Sequence, residues 1–186
     1  NNGKVLAASI NLDAIAIAAK RDDMKINEKS EGHGLNEVDI STLSPDEAEY
    51  GRSSSMIKGV AAGLKEKGYE IGGFDACTTS DVMGGSGLSS SAAFEVLIAT
   101  VINHLYNDGK IDAVTVAKAA QFSENVYFGK PSGLLDQTAS SVGTFVTIDF
   151  KDTANPVIKK VDFDFAKSGY SLCIVDTHGN HSDLTD

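Results

Sequence analysis

The chain has 186 residues, a hydrophobic fraction of 41% and a formal net charge of −10 at pH 7. This length suffices for one domain with a sizeable core or for one lobe of a larger protein. The negative charge argues against nucleic acid and anionic membranes as partners, because binding a phosphate backbone needs a basic surface. No apolar run has the length of a membrane-spanning helix. We therefore expect a soluble protein, for which a small anionic ligand in one local pocket stays possible.

The two cysteines, Cys77 and Cys173, each lie in an apolar, strand-like run. Two thiols so placed predict buried free cysteines rather than a disulfide framework. Since no signal peptide is visible in the sequence, the reducing cytoplasm is the expected compartment.

The first forty residues have the pattern of strands and turns. Two apolar runs, at 5–10 and 14–19, predict buried strands that pair through a short turn. Residues 24–40 are charged, and a glycine-containing turn at 32–34 interrupts them. This pattern is typical of edge strands and leaves His33 exposed.

Helix signals follow. The sequence Ser-Pro-Asp-Glu at 44–47 predicts a short helix that Ser44 caps and that ends near Gly51. A second amphipathic helix ending near Gly68 is indicated by the spacing of Ile57, Val60, Ala61 and Leu64.

The second half alternates between strands and helices. Residues 74–80 alternate as in a strand, residues 92–105 carry a helical apolar stripe, and Asp112 caps a helix that reaches about Tyr127. A helix at 134–142 and strands at 144–150, 157–161 and 171–175 are expected beyond it. This order predicts an α+β fold with the elements layered on one sheet.

A glycine- and serine-rich loop at 84–92 lies between the strand at 74–80 and the long helix. Its glycines allow positive φ and close backbone approach, and the serines open a helix whose first amide N–H groups are unpaired. These features favour a phosphate cradle made of backbone and hydroxyl groups. No Lys-Ser/Thr pair follows, so it is not a Walker A loop. An ordinary turn with serine caps is the equally weighted alternative.

Two carboxylates are candidates for chemistry beside this loop. Glu124 lies inside a helix, where an acid is more often part of a solvated face, and Asp136 lies in the first turn of a helix, where an acid more often balances the helix dipole. Phosphoryl transfer nevertheless needs a phosphate cradle, an oxygen ligand for Mg²⁺ and a carboxylate near the attacking hydroxyl.

A second cluster, with Asp176, His178, His181 and Asp183, has side chains that bind transition metals. A turn signal separates the two halves of the cluster, and this favours a helix-capping turn over a metal site.

The loop at 84–92, Glu124 and the sequence Gly-Leu-Leu-Asp-Gln at 133–137 occur together in this order. The set resembles the galactokinase branch of the GHMP sugar and metabolite kinases, and residues 1–6 resemble the end of that family's first signature. The resemblance implies an α+β fold related to ribosomal protein S5 domain 2. It also implies that residues 1–186 form the N-terminal, ATP- and sugar-binding lobe, incomplete at both ends, and that a C-terminal lobe lies outside this chain.

The resemblance also implies roles for individual residues. Ser91 and Glu124 match the family's Mg²⁺ ligands, and Gly133 matches a backbone contact to the sugar. Asp136 matches the residue that acts on the C1 hydroxyl of galactose, either as general base or by orienting it. The ATP phosphates would be held by Gly84, Gly85, Ser86, Gly87, Leu88, Ser89, Ser90 and Ser91.

The expected function is therefore a magnesium-dependent, cytoplasmic kinase that phosphorylates the C1 hydroxyl of galactose with ATP. One alternative is a non-catalytic sensor of sugar and ATP. Another is a GHMP kinase for a different sugar, such as N-acetylgalactosamine. The complete serine loop favours a kinase over a sensor.

Overall fold

The computed structural model describes residues 2–164 and 167–175. The expected turn or metal cluster between Asp176 and Asp183 lies outside these residues. The strands are β1 (Lys4–Ala8), β2 (Ala14–Lys20), β3 (Lys25–Ser30), β4 (Leu35–Asp39), β5 (Phe74–Ser80), β6 (Phe145–Asp149) and β7 (Val157–Val161). The helices are α1 (Ser53–Glu66), α2 (Ser90–Tyr106), α3 (Ala113–Phe122) and α4 (Leu135–Val142).

The strands form two sheets rather than the single sheet expected from the sequence. One has three strands in the order β1-β6-β7, and the other has four in the order β2-β5-β3-β4. Pairing is antiparallel except between β3 and β5, which run parallel. The α+β class itself is confirmed.

The predicted pairing of the first two strands is wrong. The Ser9 N–H donates to the Thr144 carbonyl, next to β6, while the Asp81 N–H donates to the Asp13 carbonyl, next to β5. The five residues 9–13 thus carry the chain from one sheet to the other. Each of the two strands pairs with a strand that is distant in the sequence, and a local turn signal does not predict such pairing.

Helices α1 and α2 pack against the four-stranded sheet, and α3 packs against these two helices, so that the core is enclosed between them. Fully buried side chains come from the sheet and from α1 and α2, which explains the helical apolar stripes seen in the sequence: Ile26, Phe74, Ile57, Leu64, Ile98 and Ile102. Helix α4 contacts α2 and α3 and reaches the three-stranded sheet. It therefore joins the three-stranded sheet to the helices that cover the four-stranded sheet.

The predicted helix capped by Asp112 is confirmed, because the Asp112 carboxylate accepts from the N–H groups of Val114 and Thr115 at 3.0 Å. Its last turn is a π-helix, Ser123–Tyr127. The predicted cap Ser44 is wrong. Asp46 instead caps a single 3₁₀ turn, Glu47–Glu49, because its carboxylate accepts from the Ala48 N–H at 2.9 Å.

Both cysteines are exposed, which contradicts the expected buried thiols. Cys77 lies on the outer face of β5, where residues alternate between core and solvent: Phe74, Ala76 and Thr78 point inward. Cys173 lies in a segment, 171–175, that is not a strand. His33 is exposed, as predicted. Within the described part of the chain, no helix is long and apolar enough to cross a membrane.

Candidate active site

The glycine-rich loop joins the end of β5 to the start of α2, as the sequence predicts. Positive φ recurs at every second residue of the loop, with values of 72° at Gly85, 75° at Gly87 and 62° at Ser89. Alternation of this kind turns successive N–H groups toward one side and forms an anion-binding concavity. The loop conformation, together with the N-terminus of α2, therefore suits a phosphate group.

Ser91 and Glu124 meet in the structure. The Ser91 hydroxyl donates to Glu124 Oε1 at 2.9 Å, and the Gln137 amide donates to Glu124 Oε2 at 2.7 Å. Glu124 is 3% exposed, so the solvated-face reading of this acid is wrong. The π-helical turn projects it toward α2 rather than into solvent.

A second acid, Glu95, lies fully buried on the same face of α2, four residues after Ser91. Burial, and then the nearby charge of Glu124, raise the pKa of Glu95 to about 9. Both Glu95 carboxyl oxygens and Gln137 Oε1 are buried without a hydrogen-bond donor. Burial therefore favours the protonated, neutral form of the Glu95 carboxyl group.

Asp136 is exposed in the first turn of α4 and accepts a hydrogen bond from the Ser89 hydroxyl at 2.5 Å. Ser89 stands at the N-cap of α2, yet its side chain does not cap the helix. This leaves the first N–H groups of α2 for another partner. Gly133 is exposed in the turn before α4.

Two cavities adjoin the loop. The first, of about 800 Å³, is bounded by Gly84, Ser90 and Ser91, and the second, of about 590 Å³, by Gly87, Leu88, Ser89 and Asp136. The segment 9–13 supplies part of the wall of the second cavity, through Ser9, Ile10, Leu12 and Asp13. The loop therefore separates the two spaces, and Asp136 faces the second one.

The donor set beside the loop fits Mg²⁺. The hydroxyl of Ser91 and the carboxylate of Glu124 are hard oxygen ligands that already lie within 2.9 Å of each other. Among the described residues, no group of three or more His, Cys, Asp or Glu could hold a metal ion. Mg²⁺ needs no such cage, because it is commonly bound by one or two protein oxygens together with phosphates and water.

The family model described as "GHMP kinases N terminal domain" matches residues 54–144, which run from α1 to the end of α4 and contain the loop. Curated galactokinases match almost the whole chain, with 34% identity over 98% of it for the Streptomyces coelicolor protein. This chain belongs to the GHMP kinase family.

The curated relatives are longer than the chain itself. The chain spans 47% of the S. coelicolor galactokinase and, at 38% identity, 41% of the galactokinase from Pyrococcus furiosus. It thus covers about half the length of the curated relatives that it matches.

Solved structures agree with this assignment. The galactokinase from Lactococcus lactis, crystallised with galactose, superposes with a TM-score of 0.75 at 30% identity and covers 89% of this chain and 43% of its own. A mevalonate kinase from Methanococcus jannaschii superposes with a TM-score of 0.70 at 14% identity, covering 89% of this chain and 51% of its own. That second similarity shows the fold alone.

The structure brings the predicted loop, Ser91 and Glu124 into one group and joins Asp136 to the loop through Ser89. Several buried polar side chains were not singled out from the sequence, among them Glu28, Glu95 and Gln137. Glu95 had a readable signal, since it shares a face of α2 with buried apolar residues, Ile98 among them.

Proposed function

We propose that residues 1–186 form the N-terminal lobe of a sugar 1-kinase of the galactokinase type, which transfers the γ-phosphate of ATP to the C1 hydroxyl of galactose. The observation that carries the proposal is the pair of hydrogen bonds from the loop serines: Ser91 to Glu124 and Ser89 to Asp136. Both candidate chemical groups are thereby fixed to the loop that suits a phosphate. The named galactokinase relatives support the sugar.

The first cavity takes the nucleotide in this proposal. The loop amides and the N-terminus of α2 face the triphosphate, and Ser91 and Glu124 hold Mg²⁺. When bound, this metal neutralises charge on the phosphates. The chain is acidic overall and the loop carries no lysine, so the remaining stabilisation comes from backbone N–H groups.

The second cavity takes the sugar. Asp136 accepts a hydrogen bond from the attacking hydroxyl and either removes its proton or orients it toward the phosphate. Positioning accounts for much of the acceleration in phosphoryl transfer, so a fixed carboxylate beside the loop is useful in either role. Since the curated relatives are about twice as long, we include a second lobe, outside this chain, in the proposed enzyme.

The test is an assay of magnesium-dependent ADP release by the full two-lobe protein. The assay contains a reducing agent, because we propose a cytoplasmic enzyme. Galactose, N-acetylgalactosamine, glucose and arabinose are assayed in parallel, with Asp136→Asn as control. We expect turnover on galactose that the substitution reduces by about 10²–10⁴-fold while ATP binding is kept. Turnover on another sugar but not on galactose would show that the other sugar is the substrate. Binding of ATP and galactose without turnover would contradict the kinase and support the alternative, a non-catalytic sensor of sugar and ATP.

A further inference from the structure

The carboxylate of Glu124 is held by side chains from two helices. Its Oε1 accepts from the Ser91 hydroxyl of α2 at 2.9 Å, and its Oε2 accepts from the Gln137 amide of α4 at 2.7 Å. The terminal torsion of a glutamate side chain is broad, so outside partners of this kind decide which way each oxygen faces. Ser91 is itself a proposed metal ligand, whereas the proposed chemistry does not use Gln137.

Gln137 lies behind Glu124 and away from the spaces proposed for the ligands. Its side chain is buried. Among the described residues, Ser91 lines the first cavity and Asp136 the second, and Gln137 is in neither lining. A nucleotide or sugar in these cavities therefore does not touch Gln137, and the contact that Gln137 makes toward the site is the one with Glu124.

One end of the Gln137 amide is paired and the other is not. Its Oε1 is buried without a hydrogen-bond partner among the described residues. A carboxylate offers only acceptors, so the amide turns Nε2 toward Glu124, and a hydrogen bond to a charged group is about twice as strong as a neutral one. An apolar side chain of similar size would leave no unpaired oxygen in the core. The bond to Glu124 therefore explains a glutamine here, and packing does not.

Gln137 also follows Asp136 directly in the first turn of α4. The Asp136 side chain is bonded to Ser89 of the loop, and the Gln137 side chain is bonded to Glu124 of the π-helical turn. A substitution that displaced α4 as a whole would move both side chains. Loss of the Gln137 amide alone would act on Glu124 and leave Asp136 in place, so the two kinds of effect can be separated by experiment.

We propose that Gln137 is a positioning residue for the metal site: by holding Oε2 of Glu124, it keeps Oε1 turned toward Ser91 and available to Mg²⁺. This inference deepens the proposed function and rests on it. Residues that hydrogen-bond a metal ligand without touching the metal contribute to affinity, and their loss typically lowers it about 10–100-fold.

The test is a calorimetric titration of ATP binding against Mg²⁺, on the full two-lobe protein. Gln137→Met keeps the length of the side chain and removes the donor, whereas Gln137→Asn keeps an amide that is one methylene too short. We expect both substitutions to raise the Mg²⁺ concentration for half-maximal ATP binding by about tenfold. Galactose binding, measured without nucleotide, should not change. Two variants that alter the packing differently, each checked by circular dichroism, keep the test decisive if one of them does not fold.

Thr138→Val is the matched control. It removes a buried hydrogen bond from the next residue of α4, where the Thr138 hydroxyl donates to the Leu134 carbonyl of its own helix at 2.6 Å. We expect this variant to keep the wild-type Mg²⁺ midpoint. In a Glu124→Gln background, Gln137→Met should raise the midpoint no further, because the side chain through which Gln137 acts is already altered.

Three results would overturn the inference alone: a wild-type midpoint in the folded Gln137 variants, an equal shift in Thr138→Val, or the full tenfold shift again in the Glu124→Gln background. A parallel loss of galactose binding in the Gln137 variants would also overturn it, because that result indicates a displaced α4. ATP binding to wild type that does not depend on Mg²⁺ would overturn the metal site of the proposed function as well.

Discussion

The Ser89 hydroxyl donates to Asp136 Oδ2 at 2.5 Å and so joins two residues that are 47 positions apart. Ser89 adopts φ of 62°, a conformation that non-glycine residues rarely adopt. The unusual backbone aims the hydroxyl at α4 instead of at its own helix. The loop and the candidate acid–base group are therefore one connected unit.

Two substitutions of Ser89 separate the effect of its hydrogen bond to Asp136 from the effect of its positive φ. Both Ser89→Gly and Ser89→Ala remove the hydrogen bond to Asp136, and both are expected to lower kcat by about tenfold through loss of positioning. Glycine tolerates positive φ, so Ser89→Ala is expected to be less stable than Ser89→Gly by about 1 kcal/mol. Steady-state kinetics and urea unfolding measure the two effects. Wild-type kcat in Ser89→Gly would show that the bond does not position Asp136.

Glu124→Gln keeps the size of the side chain and removes its charge. If Glu124 binds the metal, the Mg²⁺ concentration for half-maximal ATP binding is expected to rise by about 10–100-fold. A titration of ATP binding against Mg²⁺ measures this. Glu66→Gln, at the exposed end of α1, is the matched control and should not change the titration. The same midpoint in both variants would assign Glu124 a structural role.

Glu95 makes stability depend on pH. Its pKa is raised from 4.5 to about 9 in the folded protein, so between these values the unfolded chain has lost a proton that the folded chain keeps. The contribution of Glu95 is present in full below pH 4.5 and is lost progressively as pH rises toward 9. We expect the free energy of unfolding to fall with a slope of at most about 1.4 kcal/mol per pH unit.

Glu95→Gln mimics the neutral acid and cancels this slope, because its amide donates at every pH. Urea unfolding of both proteins from pH 5 to 8.5 therefore isolates Glu95 from the other titrating groups. Parallel pH profiles of the two proteins would show that Glu95 is ionised in the fold.

Gly59 on α1 packs directly against the π-helical turn that carries Glu124. A Cβ at this position would lie 2.7 Å from Ser123 Oγ and 2.8 Å from Ser123 Cα. Such overpacking costs about 1–3 kcal/mol, against a gain of about 1 kcal/mol in helix propensity. We expect Gly59→Ala to be less stable than wild type and to bind Mg·ATP more weakly, because the turn must move.

Gly63→Ala, one turn further along α1, is the matched control, because it adds the same methyl group with less crowding. Its Cβ would meet Phe122 Cδ1 at 3.0 Å and Ala119 at 3.2 Å, and neither contact involves the π-helical turn. We expect a smaller change in stability and unchanged nucleotide binding. Similar effects of both substitutions on binding would contradict the specific link between Gly59 and Glu124.

Elements with a local signal could be predicted from the sequence. The apolar stripes of α1 and α2, the Asp112 cap and the alternation in β5 are short-range patterns, and the structure contains all of them. The order of the loop, Glu124 and residues 133–137 likewise predicted the family.

Properties that depend on distant partners could not be predicted. Strand β1 pairs with β6, about 140 residues further along the chain, and β2 pairs with β5, about 60 residues further along. The first two strands therefore belong to different sheets. Glu28 looked like part of a charged edge strand, and its burial depends on Thr78, 50 residues away. A polar residue is stable inside a core when such donors converge on it, and sequence spacing alone does not show their convergence.

One loop forms a wall of both cavities, and this has a thermodynamic consequence. Anything that fixes Gly84–Ser91 from the side of the first cavity also fixes Ser89 and Asp136 on the side of the second. We therefore expect occupancy of the two cavities to be linked by a coupling free energy. If a ligand in one cavity changes the affinity for a ligand in the other by some factor, the second ligand changes the affinity for the first by the same factor.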